Sequence, residues 1–108
     1  TFSGHSFWVA DGTGNIGYGV IFGCNGYIQW YCNGTYYNIQ PYTADIWYKF
    51  ELRINLDTCK YSILINDALK VAQANANGAP TQANNFVLNS DTGWYYAWID
   101  NITLTTAN

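Results

Sequence analysis

The feature that most constrains the fold is a strict alternation of apolar and polar residues in Tyr48–Leu56. The even-numbered positions are all apolar, whereas the odd-numbered ones are Lys49, Glu51, Arg53 and Asn55. A period of two is the side-chain period of a β-strand, and it places one face against a core and the other in water. This stretch therefore predicts a strand of an antiparallel sheet.

Further strands are predicted along the whole chain, because short apolar or alternating segments are separated by turn residues. They cover residues 6–10, 16–23, 27–32, 35–39, 61–66, 86–90 and 95–104, with a long loop at 75–85. Asn25-Gly26 and Asn33-Gly34 are strong hairpin signals. A three-residue turn at 24–26 would let Phe22 and Ile28 face the same core. No segment repeats apolar residues at helical spacing over three turns, so the chain is predicted to be all-β.

Length and composition fit one domain spanning residues 1–108, folded as an antiparallel β-sandwich. Hydrophobic residues make up 49% of the chain and aromatic residues 19%, which supplies ample apolar surface for a core. With a net charge of −3 and only four Lys and Arg, the chain lacks the basic surface that nucleic acid requires. No apolar run approaches the roughly 20 residues that cross a bilayer, so membrane insertion is not expected.

Two motifs resemble a known family. Trp47-Tyr48 follows Tyr42 and opens an alternating strand, an Asp-Thr turn and a Lys-Tyr strand, and residues 99–102 read Ile-Asp-Asn-Ile. This pattern resembles the laminin G-like, concanavalin A-like lectin/glucanase group. The resemblance implies two stacked antiparallel sheets in a jelly roll, with a role in carbohydrate binding or extracellular adhesion. Members of the group usually begin with further strands that have no counterpart here. Either those strands are dispensable, or a sheet edge is left open that a neighbour could pair with.

The chain is not expected to be an enzyme. The same fold hosts glucanases, and glycoside hydrolysis needs two carboxylates flanking the scissile bond. Glu51 is the only Glu, and Lys49 and Arg53 are its neighbours on the predicted strand face. We therefore expect Glu51 to be a solvated ion-pair partner.

The candidate ligand-binding residues lie on the outward face of the predicted strands 27–32 and 35–39. If Ile28 and Trp30 face the core, the opposite side carries a set of aromatic and amide side chains. The set is Tyr27, Gln29, Tyr31, Tyr36 and Asn38. Tyrosine rings stack on the apolar faces of sugars, while amides hydrogen-bond to hydroxyls. The competing interpretation is that these tyrosines cover a subunit interface or stiffen the sheet.

Calcium is the one cofactor that the turn residues suggest, with Asp100 as its candidate ligand, because hard cations take carboxylate and carbonyl oxygens. Asp and Asn are also ordinary turn residues, so no cofactor is required. Asn33 and Asn101 begin the N-glycosylation sequons Asn-Gly-Thr and Asn-Ile-Thr. The sequons and the scarcity of charge favour a secreted or cell-surface location.

The three cysteines permit at most one internal disulfide. Cys24 and Cys32 are predicted at opposite ends of one strand, about 20 Å apart, which is too far to bridge. The turn that contains Cys59 is predicted at the same end as Cys32. The Cys32–Cys59 pair is therefore favoured, and Cys24 stays free or bridges between chains.

Two functions are compatible with the sequence. The first is a non-catalytic extracellular module that binds carbohydrate through the 27–38 face. The second is a structural subunit or repeat of an extracellular filament or surface assembly. Its partners would be copies of itself, so that open edges and aromatic faces become buried in a homo-oligomer or polymer.

Overall fold

Eight β-strands form in residues 4–12, 17–90 and 99–103, the ranges that this computed structural model describes. The strands are β1 (Gly4–Ala10), β2 (Gly17–Gly23), β3 (Tyr27–Cys32), β4 (Thr35–Pro41), β5 (Phe50–Asn55), β6 (Lys60–Ile65), β7 (Ala68–Asn75) and β8 (Asn85–Ser90). Within these ranges there is no helix, and so none long and apolar enough to cross a membrane. The predicted all-β class is confirmed.

The strands pair into two open sheets. The larger sheet has the order β4-β3-β2-β1-β8, and the smaller has the order β5-β6-β7. Every pairing is antiparallel, including that of β1 with β8, which are distant in sequence. The architecture is thus the predicted antiparallel β-sandwich. Its described edges are β4 and β8 in one sheet and β5 and β7 in the other.

The core lies between the two sheets and draws its side chains from both. Its fully or nearly buried members are Tyr18, Val20 and Ile28 of the larger sheet, and Tyr61, Ile63, Ile65, Ala74 and Ala76 of the smaller sheet and its extension. Phe50, Leu52 and Ile54 are partly buried against this cluster. The alternation in β5 therefore predicted the buried face correctly up to Ile54. It ends there because Leu56 begins the turn and is exposed.

Two turns set the register of β3 and β4. Asn33 and Gly34 have φ angles of 48° and 96°, the positive values that a two-residue type I′ turn requires. The connection from β2 to β3 has three residues, as predicted, and its Gly26 has a φ of 84°. Phe22 consequently pairs with Ile28, which places both side chains on the core face.

The segment that follows β7 ties the two sheets together at one end of the sandwich. Asn77 exchanges two backbone hydrogen bonds with Gly17, at 3.0 and 2.8 Å. The side-chain Oδ1 of Asn77 accepts from the backbone amide of Asn33 at 2.9 Å. In return, Asn33 Oδ1 accepts from the amide of Gly78 at 3.2 Å. The β3–β4 turn is thereby fixed to the chain that leaves the smaller sheet.

Two parts of the chain differ from the prediction. No strand was expected at 68–75, yet β7 forms there because Asn66 and Asp67, with φ angles of 50° and 68°, turn the chain back. Conversely, residues 99–103 form no strand, although one was predicted over 95–104. The φ of Asn101 is 56°, outside the extended region, and Ile99 is exposed. Residues 95–98 and 104 lie outside the described ranges.

Candidate functional site

The predicted ligand-binding face forms on the outer side of β3 and β4. Tyr31 lies opposite Tyr36, and Gln29 lies opposite Asn38, which is the register that a two-residue Asn33-Gly34 turn produces. The register shifts between Ile28 and Gln29, so the bulge falls just beyond these pairs. The four side chains therefore lie together on one face, beside the edge of the five-stranded sheet.

Tyr31 and Tyr36, the aromatic pair, are in direct contact. Their ring centroids are 4.7 Å apart and their planes are inclined by 55°. Both residues are half-buried. Burial, and then the neighbouring Tyr31, raise the pKa of Tyr36 above its usual value. Tyr36 is consequently uncharged at physiological pH. Each hydroxyl of the pair can donate and accept a hydrogen bond.

Gln29, Asn38 and Asn25, the amide group, form a connected network beside the aromatic pair. Asn38 Oδ1 accepts from Gln29 Nε2 at 2.8 Å and from Asn25 Nδ2 at 3.4 Å. Asn25 Oδ1 in turn accepts from the backbone amide of Tyr27 at 3.1 Å. Two hydrogen bonds to its oxygen fix the orientation of the exposed Asn38 carboxamide, which leaves its Nδ2 as a donor for a ligand.

The prediction that Gln29 is exposed is wrong, because its side chain is only 8% exposed. Gly23 explains the close packing, since a Cβ at this position would lie 2.5 Å from Gln29 Oε1 and 2.8 Å from Asn25 Oδ1. Gln29 therefore positions Asn38 instead of offering its own amide to solvent.

On the outer side of the five-stranded sheet, the accessible part is the region of β3 and β4 at the sheet edge. Trp8, toward the centre of the sheet, is only 3% exposed, and its ring lies where a Cβ on Gly19 would be. The Trp8 ring also makes an edge contact with Tyr31, with centroids 6.4 Å apart. Tyr27 is exposed, but four residues along a strand separate it from Tyr31 by about 13 Å. It therefore borders the amide group and does not extend the aromatic pair.

A second surface, which the sequence did not predict, is an apolar groove between the two sheets. It has a volume of about 1030 Å³. Its lining includes Phe7 and Phe86 from the larger sheet and Phe50 and Leu52 from the smaller one. Trp47 stands at the same groove and is 67% exposed, although a tryptophan beside a predicted strand would be expected to pack in the core. Trp47 precedes β5 and does not belong to it, so the alternation of that strand does not direct its side chain into the core.

The predicted calcium and glycosylation residues are all exposed. Asp100 lies in the exposed 99–103 segment. Across the described residues, no three His, Cys, Asp or Glu side chains approach closely enough to hold a metal ion. Calcium binding by Asp100 thus stays a prediction without a described set of partners. Asn33 and Asn101 are exposed, so both sequons are accessible to a glycosylating enzyme.

The expected Cys32–Cys59 disulfide is not formed, and all three cysteines are free thiols. The thiols of Cys32 and Cys59 each point at a backbone carbonyl instead of at the other sulfur. Cys32 Sγ lies 3.6 Å from the Ala76 carbonyl oxygen, and Cys59 Sγ lies 3.5 Å from that of Pro80. The predicted proximity of Cys32 to Cys59 is partly right, because both residues contact Ala76. The Ala76 carbonyl faces Cys32 Sγ, and the Ala76 amide donates to the Cys59 carbonyl at 3.0 Å. Cys24 is exposed.

The single Glu forms the ion pair expected from its strand position. Glu51 Oε2 accepts from Arg53 Nε at 2.7 Å, and Lys49 pairs with Asp67 at 2.8 Å. All four side chains are well exposed, so these pairs contribute little to stability.

Comparison with known proteins found no relative of this chain. No protein-family model, curated protein or solved structure matches the chain. The two antiparallel sheets are compatible with the sandwich that the laminin G-like resemblance implies, but that resemblance rests on the sequence motifs alone.

Proposed function

We propose that this chain is a non-catalytic extracellular module that binds carbohydrate. The observation that carries the proposal is the placement of the aromatic pair beside the amide group. The Tyr31–Tyr36 and Gln29–Asn38 pairs follow each other on one face of the β3–β4 ladder, about 7 Å apart along the strands. A sugar ring stacked on a tyrosine would therefore have the fixed Asn38 carboxamide within reach of its hydroxyls.

An extracellular setting is supported by the two sequons. Asn33 and Asn101 are both exposed, as glycan attachment requires. Asn33 lies at the tip of the β3–β4 hairpin, the same hairpin that carries the aromatic pair.

A glycan array probed with the wild-type chain and two tyrosine variants tests the proposal. Tyr36→Ala should weaken binding about tenfold or more, because it removes one ring of the pair. Tyr37→Ala is the matched control, since Tyr37 is the next residue of β4 but stacks on Trp30 on the inner side, with centroids 4.3 Å apart. Equal binding by wild type and Tyr36→Ala, or no bound glycan, would refute the proposed site.

Self-assembly is the second candidate, and the apolar groove is the observation that favours it. Within the described residues, β5 pairs only with β6 and β8 pairs only with β1, so two strand edges flank an apolar groove. Unpaired edges and exposed apolar side chains are the features that β-strand addition uses. A strand from another copy would cover the groove and pair with an edge.

Light scattering coupled to size-exclusion chromatography tests this alternative. Phe86 is exposed in the groove, so Phe86→Lys should dissociate any oligomer formed there. Leu69→Lys is the control, because Leu69 is also an exposed apolar residue but lies on β7, which is not part of the groove. A wild-type monomer at every concentration would exclude assembly through the groove.

A further inference from the structure

The two sheets differ sharply in how many charged residues their strands carry. None of the five strands β1, β2, β3, β4 and β8 contains Asp, Glu, Lys or Arg. The four fixed cations of the chain, Lys49, Arg53, Lys60 and Lys70, all belong to the smaller sheet or to the residue just before it. The sheet that carries the aromatic pair and the amide group therefore has no fixed charge on its strands.

The cations of the smaller sheet are also poorly placed to serve the candidate site. Lys49 and Arg53 are held by Asp67 and Glu51, and Lys60 Nζ donates to Asn75 Oδ1 at 2.8 Å. Stacked sheets lie about 10 Å apart, and the site is on the outer side of the opposite sheet. That separation exceeds the screening length of about 8 Å at physiological salt, so these cations cannot offset a ligand's negative charge.

The amide group offers only uncharged hydrogen bonds. Asn38 presents a carboxamide held by Gln29 and Asn25, and each tyrosine adds a hydroxyl that can donate and accept a hydrogen bond. A carboxylate or sulfate bound here would lose part of its hydration without gaining a cation, which is costly.

The inclination of the two rings limits the shape of the ligand. Planes inclined by 55° form a cradle rather than a platform. A flat crystalline polysaccharide surface can contact several rings together only when they are coplanar. A single sugar ring of a soluble glycan can instead lie against one tyrosine while touching the other.

From these observations we infer that the site selects soluble, neutral glycans and rejects uronate-containing, sulfated and sialylated ones. This inference rests on the proposed function, because it names the ligand class of the same aromatic pair and amide group. Binding is driven by stacking and neutral hydrogen bonds, so it does not depend on ionic strength.

The test is a glycan array that contains neutral and acidic oligosaccharides. It is read at about 0.05 M sodium chloride, where charges are weakly screened, and at about 0.5 M, where they are strongly screened. A matched pair, galactohexaose and hexagalacturonate with the same α-linkage, differs only in the oxidation state of C6. Wild type, Tyr36→Ala and Tyr37→Ala are probed side by side, together with a pull-down on microcrystalline cellulose. Circular dichroism and thermal unfolding verify that each variant is folded.

The expected result is binding confined to neutral glycans, lost in Tyr36→Ala, kept in Tyr37→Ala, and changed less than about twofold by salt. Acidic glycans that bind as tightly as their neutral counterparts in a Tyr36-dependent way would overturn the inference and leave the proposed function standing. Tyr36-dependent adsorption to cellulose would do the same. If no glycan binds through Tyr36, the proposed function fails and the inference fails with it.

Discussion

The hydroxyl of Tyr61 makes two hydrogen bonds with the backbone of Gly19, donating to its carbonyl at 2.8 Å and accepting from its amide at 3.3 Å. The β2–β3 ladder ends two residues away, at the Ile21–Gln29 pair. Tyr61 therefore satisfies backbone groups that β3 does not reach, and it joins the two sheets through the core. Tyr18 packs edge-on against Tyr61, with ring centroids 5.2 Å apart, but its buried hydroxyl has no hydrogen-bond partner among the described residues.

The two buried tyrosines should therefore respond differently to loss of the hydroxyl. Tyr61→Phe leaves buried backbone groups of Gly19 without a partner and should lower the free energy of unfolding by about 1–3 kcal/mol. Tyr18→Phe removes an unsatisfied polar group and should leave stability unchanged or raise it. Urea unfolding of both variants measures the difference. Equal destabilisation by the two substitutions would show that the Gly19 contact is unimportant.

Stability should fall in alkaline solution because of Tyr18. Burial, with a smaller effect of the neighbouring Cys59, raises the pKa of Tyr18 from 10.0 to about 12. The unfolded chain ionises this group at lower pH than the folded one, so the associated stability is complete below about pH 10 and is lost between about pH 10 and 12. Urea unfolding at pH 8 to 11 should show a smaller loss for Tyr18→Phe than for wild type. Tyr37→Phe is the exposed control, and an identical slope in all three proteins would contradict this assignment.

Gly23→Ala should impair the candidate site without touching a ligand. The new Cβ would meet the ends of the Gln29 and Asn25 side chains, which are flexible, so the fold can be retained while Asn38 loses its support. Losing one of the hydrogen bonds that orient the Asn38 carboxamide corresponds to about 1 kcal/mol, or about fivefold in affinity. Calorimetric titration with the best array glycan measures this loss. An unchanged dissociation constant would show that the amide group does not orient Asn38 for binding.

The three thiols should differ in reactivity. Cys24 is exposed, whereas Cys32 and Cys59 are half-buried and directed at carbonyls. Ellman's reagent should label one thiol rapidly in the native protein, and Cys24→Ser should abolish that fast phase. In denaturant without reductant, all three thiols should react. Only one reactive thiol in denaturant would reveal a Cys32–Cys59 disulfide and contradict the free-thiol state.

The cross-strand pairing of the site residues could be predicted from the sequence, but how deeply each residue is buried could not. An Asn-Gly pair such as Asn33-Gly34 specifies a two-residue turn, and that turn alone puts Tyr31 opposite Tyr36. The burial of Gln29 depends on the absence of a side chain at Gly23, and such packing has no periodic signal. The groove arises because β8 pairs with β1 across a long separation, which no local pattern encodes. Residues 99–103 read as a strand because Ile99 and Ile102 are apolar, yet their parities conflict and Asn101 adopts a positive φ.

The central claim is that the outer face of β3 and β4 is the surface that meets carbohydrate. Amide chemical-shift mapping by nuclear magnetic resonance, during titration with a neutral oligosaccharide, locates the contact directly. The account predicts the largest shifts at Tyr31, Tyr36 and the side-chain amide of Asn38. Shifts centred instead on Trp47 and Phe86 would place the ligand in the groove between the sheets and contradict the account.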